Sequence, residues 1–363
     1  MQFIDLQRQY QSYKEEIKAE IDKVLDTSRY ILGPAVTELE EAMAGYLGVK
    51  HAIGCASGTD ALLLAMMAME LAPGDEVIVP DFTFFATAEV VSLLGGKPVF
   101  ADVLPDTLNL DPRQVEARIG PRTRGVIAVS LYGQCADFDE LADLARRRKL
   151  FLIEDAAQSF GATYKGRKSG ALCELSTTSF YPAKPLGAYG DAGALFTGDD
   201  ALAERLRVLA NHGQPATYRH RLVGINGRLD SLQAAILKVK LRHFPEELER
   251  RQQVASWYEA GLSGLVSTPQ VKKGNSSSWA QYTVRSPQRT RLIEKLKERG
   301  IPTAIHYPMP LHQQEVYSGL GIRDESLPES VRASREVFSL PMHPYLTREE
   351  VKTVASAFRE AKP

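Results

Sequence analysis

The chain has 363 residues, 44% hydrophobic and 25% charged, with 44 Lys and Arg against 45 Asp and Glu for a formal net charge of −1. That balance fits a globular protein with a large core and excludes nucleic acid as the main partner, because binding a phosphate backbone calls for a basic stripe. No run of about eighteen apolar residues appears, and Met1-Gln2-Phe3-Ile4-Asp5 has no basic stretch leading into a hydrophobic one, so neither a membrane span nor secretion is expected.

Cys55, Cys135 and Cys173 are far apart and match no metal or disulfide spacing, which predicts no metal site and a cytoplasmic protein. Helical spacing of Tyr10, Tyr13, Ile17, Ile21, Val24 and Leu25 predicts a first helix. Gly33-Pro34 breaks it before Val36, Leu39, Met43 and Leu47 form a second. Short apolar runs then alternate with helical patterns. The predicted strands lie at 52–54, 77–79, 98–100, 126–129 and 151–153, with helices at 61–69, 86–94 and 138–145. Arg146-Arg147-Arg148-Lys149 closes the last of these helices rather than forming a basic patch.

This rhythm predicts an α/β fold whose mostly parallel sheet is covered by helices on both faces. The first helices and this large domain occupy residues 1–241, ending before His243-Phe244-Pro245, and a smaller α/β domain occupies 242–363. In the latter, Glu246 to Leu262 reads as a polar helix and Gly274 to Ser278 as a loop. A strand near Tyr282–Val284, a helix at 291–299, a strand at Thr303–Ile305 and a last helix at 348–358 complete it. Gly161 to Ser169 superficially resembles a nucleotide loop, but Arg167 stands where the lysine should be, so a hairpin is expected.

The chemistry concentrates where strands end. Phe151-Leu152-Ile153 leads into Glu154-Asp155, at the carboxyl end of a strand where parallel sheets place ligands. Downstream, Lys184 stands between Pro182 and Pro185. A lysine that can form a Schiff base and a carboxylate that can keep a pyridine nitrogen protonated are what a pyridoxal cofactor requires. Ala56-Ser57-Gly58-Thr59-Asp60 joins the first core strand to a helix, a turn suited to phosphate, with Ser179 as a second contact. Phe84, within Pro80 to Thr87, could stack on a flat ring.

Seven motifs, in order, resemble the DegT/DnrJ/StrS group of sugar aminotransferases, which are fold-type I pyridoxal-phosphate enzymes. They are Tyr30 to Pro34, Ser57 to Leu62, Pro80 to Thr87, Leu131 to Gln134, Glu154 to Ser159, Ser179 to Gly187, and Asn226 to Asp230. The resemblance implies that Lys184 carries pyridoxal 5'-phosphate as a Schiff base, Asp155 holds the ring nitrogen, and Gln158 contacts the ring oxygen. Phe84 would stack, while Gly58, Thr59 and Ser179 would hold the phosphate. Asn226 would reach that phosphate from a second subunit, implying a homodimer with shared sites.

Within the group, residues 129–138 and 302–308 look most like enzymes that aminate UDP-2-acetamido-2-deoxy-3-oxo-glucuronate with glutamate, for cell-surface polysaccharide such as lipopolysaccharide O-antigen. Arg228 offers a fork for the uronate carboxylate, and His306 and Tyr307 could bond the sugar. Alternatives are a dTDP- or UDP-4-keto-6-deoxy sugar and a non-catalytic regulator of the same fold. The regulator would carry an added DNA-binding module, which this sequence does not show. A dehydratase of this fold carries histidine where Lys184 stands, and Lys184 argues against it.

Overall fold

The computed structural model describes residues 1–361. Helices α1 (Leu6–Thr27) and α2 (Pro34–Leu47) open it. Asp5 caps the first by accepting the Arg8 N–H, and Pro34 starts the second, where its missing N–H would have had no helical partner. Strands and helices then alternate: β1 (His51–Cys55), α3 (Gly58–Ala68), β2 (Glu76–Pro80), α4 (Ala86–Leu93), β3 (Lys97–Ala101), α5 (Pro112–Arg118), β4 (Thr123–Val129), α6 (Phe138–Arg148) and β5 (Phe151–Asp155). The expected hairpin follows as β6 (Thr163–Tyr164) and β7 (Arg167–Lys168). Then come β8 (Leu175–Ser179), β9 (Gly193–Thr197) and α7 (Asp200–Ala210), none of them among the elements expected from the sequence.

Seven strands form one sheet in the order β1-β9-β8-β5-β4-β2-β3. Only β9 runs against its neighbours, so β1, β2, β4, β5 and β8 all deliver their carboxyl ends to one edge. Alternation along the strands fills both faces. Val77, Val79, Ile127 and Ile153 share a core with α3, α4 and α7, while Ile78, Val126 and Ala128 pack with α5 and α6.

The polar helix expected from Glu246 proves to be the second half of α8 (Ser231–Leu262), 32 residues that continue through Pro245. A proline removes one ladder hydrogen bond, and burial of Phe244, Glu247 and Arg251 on either side holds the helix together across the gap. The expected domain division at 241/242 therefore falls inside a continuous helix. Beyond it lie β10 (Tyr282–Arg285), α9 (Arg289–Glu298), α10 (Pro328–Glu336), β11 (Val337–Leu340) and α11 (Arg348–Glu360). Strands β10 and β11 pair antiparallel over a core shared with the end of α8 and α11. The strand expected at Thr303–Ile305 is a single bridge from Ala304 to Ser339.

Among the described residues no helix is long and apolar enough to cross a membrane, and no cluster of three His, Cys, Asp or Glu could hold a metal.

Candidate active site

Strand β5 ends in two buried acids, and alternation sends them to opposite faces. Glu154 accepts from Ser169 Oγ, Gly170 N–H, Leu172 N–H and Ser176 Oγ at 2.7–3.1 Å, so its carboxylate is fully used in holding the next loop. Asp155 is less satisfied. It accepts the Ala157 N–H at 3.0 Å and the Thr87 hydroxyl at 3.5 Å. Burial raises its carboxyl above the ordinary value of 3.8, with Ala157, Lys184 and Thr87 pulling the other way. Among the described residues Lys184 acts on it without forming an ion pair, and a protonated ring nitrogen could supply that pair.

Lys184 rides on the loop between β8 and β9. The loop is closed at its base by Ala188 N–H donating to the Phe180 carbonyl at 2.7 Å, and at its turn by Lys184 N–H donating to the Tyr181 carbonyl at 2.8 Å. Buried Lys240 of α8 donates to the Gly187 carbonyl, fixing the far side. Burial pulls the Lys184 amine down to about 8, against the opposing pull of Asp155.

The start of α3 forms a third wall. Ser57 Oγ takes the Asp60 N–H at 3.0 Å and the Ser57 carbonyl takes that of Ala61, leaving Gly58 and Thr59 N–H as open donors at this helix end. A Cβ on Gly58 would meet the Ser179 Cβ at 2.5 Å, so glycine alone lets the helix start approach β8. This cradle suits a phosphate.

One cavity of about 550 Å³ is lined by Gly58, Thr59, Phe84, Asp155, Gln158, Ser179, Lys184, His306 and Tyr307, nine residues singled out from the sequence. Gln158 Oε1 accepts the Tyr132 N–H at 2.8 Å, and its Nε2 donates to the Tyr307 hydroxyl at 3.2 Å, so one amide hydrogen is left to offer. The rings of Phe84 and Tyr307 lie 6.2 Å apart. His306 Nδ1 bonds Ser339 Oγ at 2.9 Å, and burial together with Lys184 lowers its pKa below 6.5, which favours the neutral ring. An open helix end, a buried carboxylate and a lysine amine sharing one cavity fit the phosphate, ring nitrogen and aldehyde of pyridoxal phosphate.

Two expected residues lie elsewhere in this chain. Asn226 is exposed, and Arg228 faces a separate cavity with Glu40, Arg207 and Asn211. Arg228 donates to Asn211 Oδ1 at 2.8 Å, while its Nε is buried without a partner among the described residues. Neither lines the Lys184 cavity. That cavity also takes in Thr83, Thr87, Tyr181, Asp191 and Gln281, which are not among the residues expected from the sequence. Thr87 and Tyr181 stand within motifs already noted, a usable signal; Gln281 arrives from β10's approach and had none.

The sequence pattern of the DegT/DnrJ/EryC1/StrS aminotransferase family matches residues 11–359. The chain is 51% identical over 360 residues to the UDP-2-acetamido-2-deoxy-3-oxo-D-glucuronate aminotransferase of Pseudomonas aeruginosa, covering 98% of this chain and 99% of that one. The fold is similar to a DegT DnrJ EryC1 StrS aminotransferase from Brucella abortus, at TM-score 0.97 and 43% identity over 99% of both chains. It is also similar to NtdA of Bacillus subtilis, solved with bound cofactor PMP, at TM-score 0.90 and 30% identity over 96% of this chain and 82% of that one.

Proposed function

Since the chain belongs to the DegT/DnrJ/EryC1/StrS aminotransferase family, we propose that it moves an amino group from glutamate to the 3-keto carbon of UDP-2-acetamido-2-deoxy-3-oxo-glucuronate. It is a pyridoxal-phosphate-dependent sugar aminotransferase of the EC 2.6.1 class. The observation that carries the reading is the shared cavity of Asp155 and Lys184, with the lysine amine drawn down to about 8. The product would be a 3-amino sugar for cell-surface polysaccharide, made in the cytoplasm.

Pyridoxal phosphate, when bound, supplies an aldehyde that accepts nitrogen and a ring that withdraws electrons. Asp155 would keep the ring nitrogen protonated, and Gly58, Thr59 and Ser179 would hold the phosphate. Phe84 would cover the ring face and Gln158 would offer its remaining amide hydrogen to the ring oxygen. Lys184 Nζ, as a free amine, would take the proton from the glutamate α-carbon, and in the second half-reaction would give one to C3 of the sugar. It must be neutral for the first transfer, which its lowered pKa favours near neutrality.

His306 and Tyr307 would bond the sugar. Arg228 and Asn226 lie away from their own Lys184, which is what a homodimer with shared sites would require of residues serving the partner's cavity. The test is to load the protein with pyridoxamine phosphate and offer UDP- and dTDP-linked keto sugars, following the return of the aldehyde-form absorbance. Return with the UDP-3-keto-uronate supports the substrate; return with dTDP-4-keto sugars alone would overturn it.

A further inference from the structure

Two segments that line the Lys184 cavity hang from one buried pair. The first, Thr83 to Thr87, begins two residues beyond Asp81, which itself follows the end of β2 at Pro80. The second, His306-Tyr307, is followed by Pro308-Met309-Pro310-Leu311-His312, whose two prolines fix φ and limit its slack. Both polar ends of the junction are tied. The Asp81 carbonyl accepts the Leu311 N–H at 2.8 Å, its carboxylate accepts the His312 N–H at 2.8 Å, and Asp81 Oδ2 lies 2.7 Å from His312 Nδ1.

Neither side chain is open to water, at 0% and 1% exposure, so the bonds act in a dry setting where an unpaired partner is costly. His312 Nε2 continues to Asp324 at 3.1 Å, on the surface. Asp81 is also anchored to the sheet, through its N–H to the Ala101 carbonyl at 2.9 Å. What hangs from the pair are aromatic rings: Tyr307 sits 6.1 Å from Phe82 and 6.2 Å from Phe84.

The geometry points to Asp81 and His312 as positioning residues that clasp these two segments together and so set the slot between Phe84 and Tyr307 in which the cofactor ring and sugar would lie. This rests on the aminotransferase reading of the cavity. Neither residue lines it, so both act through the residues they hold. Losing the clasp should widen the slot and loosen cofactor binding before any chemistry occurs.

The experiment measures the dissociation constant of pyridoxamine phosphate for the cofactor-free protein by fluorescence quenching. With the fold intact by circular dichroism, His312→Phe should weaken binding about tenfold or more. His312→Asn keeps an amide N–H where Nδ1 stands and should stay within about threefold of wild type, as should Asp324→Ala. A folded His312→Phe protein with wild-type affinity overturns the proposal, and so does His312→Asn binding as weakly as His312→Phe, which would make packing the cause. If His312→Phe does not fold, the isosteric Asp81→Asn decides: weakening by about threefold or more supports the clasp, and wild-type affinity removes it. Wild-type protein that binds no pyridoxamine phosphate would instead sink the reading on which the clasp rests.

Discussion

Gly58 and Ser179 approach so closely that a Cβ on the glycine would sit 2.5 Å from the serine Cβ. The start of α3 and the end of β8 thus form one cradle only while residue 58 has no side chain. Gly58→Ala should push Ser179 aside, leaving the core of the sheet untouched while the affinity for pyridoxal phosphate falls about tenfold or more. Equilibrium dialysis of the folded variant checks it, and unchanged affinity would remove the phosphate assignment.

The lysine amine sets a pH signature. Because Lys184 titrates at about 8 and only its neutral form attacks an aldehyde, the rate of pyridoxal phosphate uptake by cofactor-free protein should rise with pH and level off above about 8. Asp155 pulls that value upward, so Asp155→Asn should move the midpoint lower. Stopped-flow absorbance across pH 6–10 measures both. A midpoint near the ordinary 10.5 would contradict the burial argument.

His312 gives a stability signature of opposite sign. Its bonds to Asp81 and Asp324 raise its pKa above 6.5 against the cost of burial. A base with a raised folded pKa lends stability that is fully present below the unfolded value, about 6.5, and is lost as pH climbs through the folded one. Other charges near the pair are Asp102 and Arg118 beside Asp81, and Arg335 beside Asp324. The gap in Tm between wild type and His312→Asn should therefore be widest near pH 6 and shrink in alkali. A gap that grows with pH would reverse the assignment.

Among the described residues Arg228 donates to Asn211 and its Nε has no partner. If its fork serves a uronate carboxylate in the partner's cavity, Arg228→Met should raise KM for the 3-keto-uronate about tenfold or more, with a much smaller effect on the same sugar lacking the carboxylate. Equal losses on both sugars would assign Arg228 to the subunit interface alone.

How far the sequence could be read follows from range. Asp155, Lys184 and Gly58 announced themselves because each sits beside local punctuation, at a strand end, between prolines, or before a helix cap. Strand β8 did not, since Ser176, Thr177 and Thr178 look like a loop until their hydroxyls are seen bonded to Glu154 and to the Glu154 and Ala156 carbonyls. Pro245 suggested a break that packing of α8 overrides. The contact of Asp81 with His312 joins positions far apart in the chain, and no local pattern signals it. The separation of Arg228 from Lys184 was hidden for the same reason.

The most direct test is reduction of the cofactor-loaded protein with borohydride followed by peptide mass mapping. A single pyridoxyl adduct on Lys184, absent from a folded and inactive Lys184→Ala protein, is the predicted result. No adduct, or one on another lysine such as Lys240, would contradict it.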